Sequence, residues 1–165
     1  MNELQPKSFK DSLNLPKTDF SIRASASEKE PELLARWKEE GLNAAAQSKN
    51  SGREKFILHD GPPYANGRIH MGTALNKTLK DFVAKYKRMT GFHVSFRPGW
   101  DCHGLPIELK VLAESGEATM QQLDPVAFKA ACRKFAHQWI DVQRDEFQKL
   151  GVLADWRRPY MTMDP

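Results

Sequence analysis

Two short stretches concentrate the side chains able to do chemistry. Residues 59–77 read HDGPPYANGRIHMGTALNK and residues 98–106 read PGWDCHGLP. The first carries His59, Asp60, His70 and Thr73 among Gly61, Pro62, Pro63, Gly67 and Gly72; the second carries Asp101, Cys102 and His103. A short apolar run, Phe56-Ile57-Leu58, leads into the first stretch, and an amphipathic helix opens at about His70. An apolar strand, a Gly/Pro loop and a helix N-terminus together make a place to hold phosphate. Unpaired backbone N–H groups and the positive end of the helix dipole both point at an anion there.

Other chemistries fit less well. His59, Asp60, His70, His93, Cys102 and His103 are crowded in sequence, but their spacings match neither CxxC pairs nor HExxH. No bound zinc is expected. GxGxxG and the P-loop lysine motif are both absent. His93 falls within an expected strand and His137 within an expected helix, where packed or surface histidines are the ordinary reading. Cys102 and Cys132 are too few for a disulfide framework and read as free thiols in a reducing cytoplasm.

The chain has 165 residues, 40% hydrophobic and 28% charged, which places it among globular proteins. No apolar run approaches the roughly 20 residues of a membrane helix. The opening MNELQPKSFKDSLNLP lacks an apolar segment of the secretory kind, so a cytoplasmic location is expected. Net charge is +4 and the pI about 9.1, mildly basic. Lys77, Lys80, Lys85, Lys87 and Arg88 cluster against Asp81 in one expected helix. That pattern suits a solvated helix face, and it also suits an electrostatic surface for nucleotide or RNA phosphates.

The elements that must position these residues follow from periodicity and punctuation. Residues 1–27 are polar and read as an extended arm. A helix is expected over Pro31–Glu40, with Pro31 at its first position, Leu33, Leu34 and Trp37 on its apolar face and Gly41 as its stop. Residues 43–53 read as a linker. A strand is expected at Lys55–His59, a helix from about His70 to Thr90 and a second strand at Phe92–Arg97. The helix carries Met71, Leu75, Leu79, Phe82, Val83, Tyr86 and Met89 at spacings of mostly three or four, with Gly91 as its stop. The loop 98–106 follows, then a helix over Ile107–Glu114. Asp124 caps a further helix with Pro125 at its first position and Phe128, Cys132, Phe135, Trp139 and Val142 on one stripe; Gly151 ends it. The tail 152–165 shows no closing element. Strand, helix and strand make a parallel β–α–β unit, whose right-handed crossover brings loops 59–69 and 98–106 together at the carboxyl ends of the strands.

At this point the residues resemble a known family. His70-Met71-Gly72-Thr73 at a helix start is similar to the HIGH signature of class I aminoacyl-tRNA synthetases. The flanking words HDGPPYANG, ALNKTLKDFVAKYKRMTGF and PGWDCHGLPIELKV, with DSLNLPKTDF and KEPELLARW nearer the N-terminus, resemble the isoleucyl branch of bacterial type. The likeness runs from about Phe9 to Pro165.

The resemblance implies an α/β fold: the first half of a Rossmann-like parallel sheet with flanking helices (54–165), preceded by an N-terminal arm and helix (1–53). It implies ATP-dependent activation of isoleucine and its transfer to tRNA(Ile), with ATP and Mg2+ as the substrate complex and no membrane partner. His70, Gly72 and Thr73 become the ATP-binding positions, His70 and Thr73 the catalytic ones. His70 would bond the phosphates or ribose, and Gly72 would let the adenine approach the backbone. Gly61 and Pro62 would wall the aliphatic side chain, and Asp101 would pair with the amino-acid ammonium. Trp100 is assigned to packing, and Lys77 and Lys80 to diffuse attraction. The chain departs from the pattern at Thr73, where the family has a second histidine. The lysine-rich KMSKS loop, the second half of the sheet, the editing insertion and the anticodon domain are not in this sequence. A missing C-terminal part of the synthetase is therefore an expected partner. With half a sheet, one strand edge is uncovered, and the isolated chain is expected to aggregate or self-associate.

Overall fold

The computed structural model describes residues 9, 12–14, 18–19, 23–115 and 124–164. Most of the expected N-terminal arm lies outside the described residues. The described chain is helical with a small parallel sheet.

Helix α1 spans Ala26–Glu39. It begins earlier than Pro31, which therefore sits inside the helix. The first turn is held by the Ser25 carbonyl, which accepts from the N–H groups of Glu28 and Lys29 at 3.0 Å each. Gly41 follows at φ 61° and turns the chain directly into α2, Leu42–Lys49. The expected linker at 43–53 is thus largely a helix, which the alanine-rich run Ala44–Ala46 favours. Asn50, buried behind α2, donates from Nδ2 to the carbonyls of Arg88 and Phe92 at 2.9 and 3.0 Å. That contact ties the N-terminal helices to the far end of the next one.

Helix α3 spans Met71–Met89, capped by His70 and ended at Gly91 (φ 95°). The expected strands on either side of it are reduced to one parallel bridge between Lys55 and His93. Phe56 N–H donates to the His93 carbonyl at 3.0 Å, and His93 N–H to the Glu54 carbonyl at 2.9 Å. The parallel direction of the β–α–β unit stands, while the ladder is shorter than expected. The regular strands lie elsewhere. Strand β1, Gly99–Trp100, falls within the expected loop, and β2, Tyr160–Met161, within the tail expected to have no element. They pair in parallel, Gly99 with Tyr160 and Trp100 with Met161.

Helix α4, Leu105–Ser115, packs against α5, Pro125–Lys149. Asp124 accepts from the Ala127 N–H at 2.8 Å, so the expected cap is observed. Phe135, Ala136, Ile140, Gln143 and Phe147 form the buried stripe of α5. They join Trp100, Ile107 and Val111 in the larger core; a smaller one gathers Ala84, Val94, Phe96, Val152 and Ala154. No helix among the described residues is long and apolar enough to cross a membrane.

Candidate active site

The start of α3 is organised by its own cap. The His70 Nδ1 accepts from the N–H groups of Gly72 and Thr73, at 3.1 and 3.3 Å. An acceptor nitrogen carries no proton, so the proton of the neutral ring sits on Nε2 and is free to be donated outward. The expected row of unpaired N–H groups is corrected accordingly: two of them are occupied by the imidazole. What remains for an anion is the helix dipole and the Nε2–H. Gly72 has a local reason to be glycine. A Cβ there would lie 3.0 Å from His70 Cε1 and 3.1 Å from Nδ1.

The two loops meet as the β–α–β reading requires. Tyr64 and Asp101 form a parallel bridge. Ala65 N–H donates to the Asp101 carbonyl at 2.9 Å, and Asp101 N–H donates to the Pro63 carbonyl at 2.8 Å. The backbone after Gly61 and Pro62 thus runs beside Asp101. The Asp101 carboxylate is part-exposed, accepts from Thr162 Oγ1 at 3.2 Å and has His103 Nδ1 at 3.9 Å. Pro62 is half-buried and Gly61 exposed. Thr73 is half-buried, and its backbone N–H is the one taken by His70. Among the described residues no hydrogen bond or ion pair joins His70 to Asp101, nor could any group of three His, Cys, Asp or Glu hold a metal ion.

Beneath the loops lies a buried hub that the sequence reading missed. Asp60 is 0% exposed. Its Oδ2 pairs with Lys77 and accepts from the Gly99 N–H at 3.0 Å, its Oδ1 accepts from Lys80 at 2.8 Å, and its carbonyl accepts from the Tyr160 hydroxyl. One residue therefore fastens the phosphate-loop candidate to α3, β1 and β2. Lys77 is not part of a solvated cationic face: it is 1% exposed and also lies over the Phe147 ring at 4.8 Å. Burial lowers its pKa below the ordinary lysine value, against the opposing pull of Asp60. Arg88, from the same cluster, is buried too and bonds the Val94 and Leu153 carbonyls. Burial and the Asp60 charge both raise the Tyr160 pKa.

Helix α5 holds the loop from the other side. Gln143 accepts from Trp100 Nε1 at 3.0 Å and donates Nε2 to the carbonyls of Tyr64 and Gly67, at 3.0 and 2.7 Å. Trp100 is 0% exposed, as its packing assignment requires. Glu146 accepts from the Ile69 N–H at 3.0 Å and from Arg68 at 2.7 Å. The available signal was a glutamine placed on the otherwise apolar stripe Ile140–Phe147. Both cysteines are free thiols. Burial pushes the Cys102 thiol up, and its N–H donates to Thr162 Oγ1 at 2.9 Å.

Comparison with known proteins gives the family and the fold. The family of tRNA synthetases class I (I, L, M and V) matches residues 32–165. Isoleucine–tRNA ligase of Coxiella burnetii (strain Dugway 5J108-111) is 56% identical over 94% of this chain and 16% of its own length. The isoleucine–tRNA ligase of Legionella pneumophila (strain Corby) is 54% identical over 94% of the chain, and that of Kosmotoga olearia is 52% identical over 95%; the matched part is 17% of each. The chain thus spans about a sixth of the length of these relatives. In fold it is similar to the Agrobacterium radiobacter K84 agnB2 LeuRS, crystallised as a ternary complex with tRNA and LeuAMS. The TM-score is 0.66 at 22% identity, over 87% of this chain and 16% of that one. With the family matched over most of its length, the chain belongs to the class I tRNA synthetases of the isoleucine, leucine, methionine and valine group.

Proposed function

We propose that this chain is the ATP- and isoleucine-binding part of an isoleucine–tRNA ligase and works as one portion of a longer catalytic assembly. Identity of 52–56% to isoleucine–tRNA ligases supports the choice of amino acid. The observation that carries the reading is the parallel pairing of residues 63–65 with Asp101, on the loop that leads into the His70 cap. That pairing runs the backbone that follows Gly61 and Pro62 beside Asp101.

The chemistry needs positioning more than proton transfer. A carboxylate oxygen of isoleucine attacks the α-phosphorus of ATP; the new acyl–phosphate bond forms as the bond to pyrophosphate breaks. Magnesium enters with ATP as part of the substrate. The carboxylate nucleophile arrives ionised, so no general base is called for. Alignment and stabilisation of phosphate charge do the catalysis. In this reading His70 donates Nε2–H to a phosphate or ribose oxygen, Thr73 gives one hydroxyl bond, and the dipole of α3 favours the negative charge. Gly72 leaves room both for the imidazole and for the adenine. Asp101 holds the ammonium group while Gly61 and Pro62 flank the aliphatic side chain. Domain 54–165 then supplies half of a catalytic sheet, and 1–53 buttresses it. Transfer to tRNA(Ile), in the cytoplasm, belongs to the complete assembly.

One observation favours a second reading. Thr73 stands where the family has histidine, and a hydroxyl brings no positive charge. A truncated paralogue that binds nucleotide, RNA or a synthetase partner without turnover would tolerate that change. Isoleucine-dependent exchange of labelled pyrophosphate into ATP separates the two. The assay is run on the 165-residue chain alone and with the remaining part of the Coxiella relative added. Exchange on addition is the expected result; no exchange in either case leaves the binding module.

A further inference from the structure

The backbone of Asp101 and its carboxylate are fixed by different parts of the chain. The Asp101 N–H donates to the Pro63 carbonyl at 2.8 Å, and its carbonyl accepts from the Ala65 N–H at 2.9 Å. Neither bond decides where the side chain points. That is set from β2. Tyr160 and Met161 pair with Gly99 and Trp100, and the pairing continues as the Thr162 N–H donates to the Trp100 carbonyl at 3.1 Å. The next pair in this register is Asp101 with Thr162. Met161 and Met163 pack against the larger core, and the alternation of an extended chain turns Thr162 to the opposite face, toward the carboxylate.

The bonds at Thr162 have a fixed direction. Its Oγ1 accepts from the Cys102 N–H at 2.9 Å. A carboxylate can only accept, so the proton shared between Thr162 Oγ1 and Asp101 Oδ1, at 3.2 Å, is the hydroxyl's own. That distance is longer than the common O–H···O range, as contacts in unliganded sites often are. His103 Nδ1, at 3.9 Å from the same oxygen, is out of hydrogen-bond reach. Among the described residues Oδ2 has no partner. One carboxylate oxygen is tied down and the other is left to a ligand.

We propose that Thr162 is a positioning residue of the amino-acid site: its hydroxyl orients the Asp101 carboxylate so that Oδ2 meets the ammonium group of the amino acid. Cys102 takes part through its backbone N–H, which holds the hydroxyl in place, and not through its thiol. The proposal rests on the proposed function for the ligand of Asp101. It goes beyond it by assigning part of the amino-acid site to residue 162, outside both of the loops that carry the candidate residues. A binding group works when its own orientation is locked by the hydrogen bonds behind it. Valine at 162 keeps the β-branched shape and loses both bonds; serine keeps both.

Calorimetric titration of isoleucine and of ATP tests it, in a chimera in which this chain replaces the matched segment of the Coxiella relative. Thr162→Val is expected to weaken isoleucine binding about tenfold, the size of a lost hydrogen bond to a charged group, and to leave ATP binding unchanged. Thr162→Ser should bind both as the parent does. The deamino analogue of isoleucine, with the same carbon skeleton and no ammonium, should bind the parent and Thr162→Val equally. In the chain by itself, the Asp101 carboxyl carbon resonance should move in Thr162→Val and return in Thr162→Ser. An unmoved resonance in Thr162→Val overturns the proposal. So does an equal loss for isoleucine and its deamino analogue, or a loss of ATP binding along with isoleucine. Asp101→Asn separates this inference from the reading it rests on. If Asp101→Asn weakens isoleucine binding and Thr162→Val does not, this inference alone fails. Unchanged binding in Asp101→Asn, or a parent chimera that binds no isoleucine, contradicts the proposed function, and the carboxyl resonance then decides the Thr162–Asp101 bond.

Discussion

The side chains of Asp60 and Lys77 face each other with 0% and 1% exposure, and they join the Gly/Pro loop to the middle of α3. Breaking a buried pair from one side leaves a charge stranded, at a cost of about 3–5 kcal/mol. Asp60→Asn is expected to destabilise the chain by about that much, measured by urea unfolding. The pH dependence adds a sign. Burial lowers the Lys77 pKa below 10.5, so between its folded value and 10.5 the unfolded state binds more protons and stability rises with pH. Removing Asp60 takes away the group that holds the charge in place and lowers the folded value further. The deficit of Asp60→Asn should therefore narrow as pH rises from the variant's folded Lys77 value to the wild-type one, and hold steady from there to 10.5; a deficit that widens contradicts this account of the pair.

Gly99 is pressed against Tyr160. A Cβ at residue 99 would lie 2.1–2.6 Å from three atoms of the Tyr160 ring. Gly99→Ala must push the ring aside, unpairing β1 from β2 and freeing the Tyr160 hydroxyl from Asp60. Overpacking of this kind costs about 1–3 kcal/mol, and about 3 is expected because the strand pair goes with it. In a Tyr160→Ala background the same change should cost less than about 1 kcal/mol, the non-additivity of residues in contact.

Gln143 and Glu146 hold the same loop with different strength. Gln143→Leu strands the Trp100 indole N–H and two loop carbonyls, each an unsatisfied group costing about 1–3 kcal/mol; a combined loss of about 3 kcal/mol is expected. Glu146→Gln keeps an acceptor for the Ile69 N–H and loses only the ion pair to Arg68, whose side chain is 77% exposed. Its cost should stay under about 1 kcal/mol. Equal losses in the two variants' unfolding curves would contradict this ordering.

Gly72→Ala sets two effects of similar size against each other. Alanine gains about 1 kcal/mol of helix propensity, and displacement of the His70 ring forfeits a cap of about 1 kcal/mol. Stability should move by less than about 0.5 kcal/mol. The change appears instead in the His70 ring nitrogen resonances, where the Nδ1 acceptor signature is expected to disappear. An unchanged His70 spectrum shows that the ring tolerates the extra methyl group.

Thr73→His, made in the chimera, restores a charge-assisted phosphate bond. A gain of about 1–3 kcal/mol corresponds to a roughly 5- to 150-fold faster adenylation. A rate that is unchanged or lower removes position 73 from the phosphate-binding set.

Much of this arrangement could be read before folding. The caps and stops of α3 and α5, Asp124, Gly91 and Gly151, follow from local rules, and all three stand in the structure. The pairing of the two loops followed from the crossover rule. The contacts that periodicity cannot encode were missed. Helical spacing shows that α3 has an apolar stripe but not which side meets the body, and the buried carboxylate of Asp60 reverses the obvious choice. Gly99 and Tyr160 pair across 61 positions of sequence (160 − 99), and neither stands in a run that reads as a strand. Gln143 stands on the buried stripe of α5, but nothing near it in sequence names Trp100 and the Tyr64 carbonyl as its partners. The candidate site itself was legible as words, His70-Met71-Gly72-Thr73 and Gly99-Trp100-Asp101, while its supports were spread over distant elements.

A crystal structure with a non-hydrolysable isoleucyl-adenylate analogue, of a chimera in which this chain replaces the matched segment of the Coxiella relative, decides whether ATP and isoleucine meet at the start of α3. The phosphate mimic is expected within hydrogen-bond reach of His70 Nε2, and the ammonium on the Asp101 carboxylate. An analogue bound away from the start of α3, or an ammonium that turns from Asp101 to another group, contradicts that expectation.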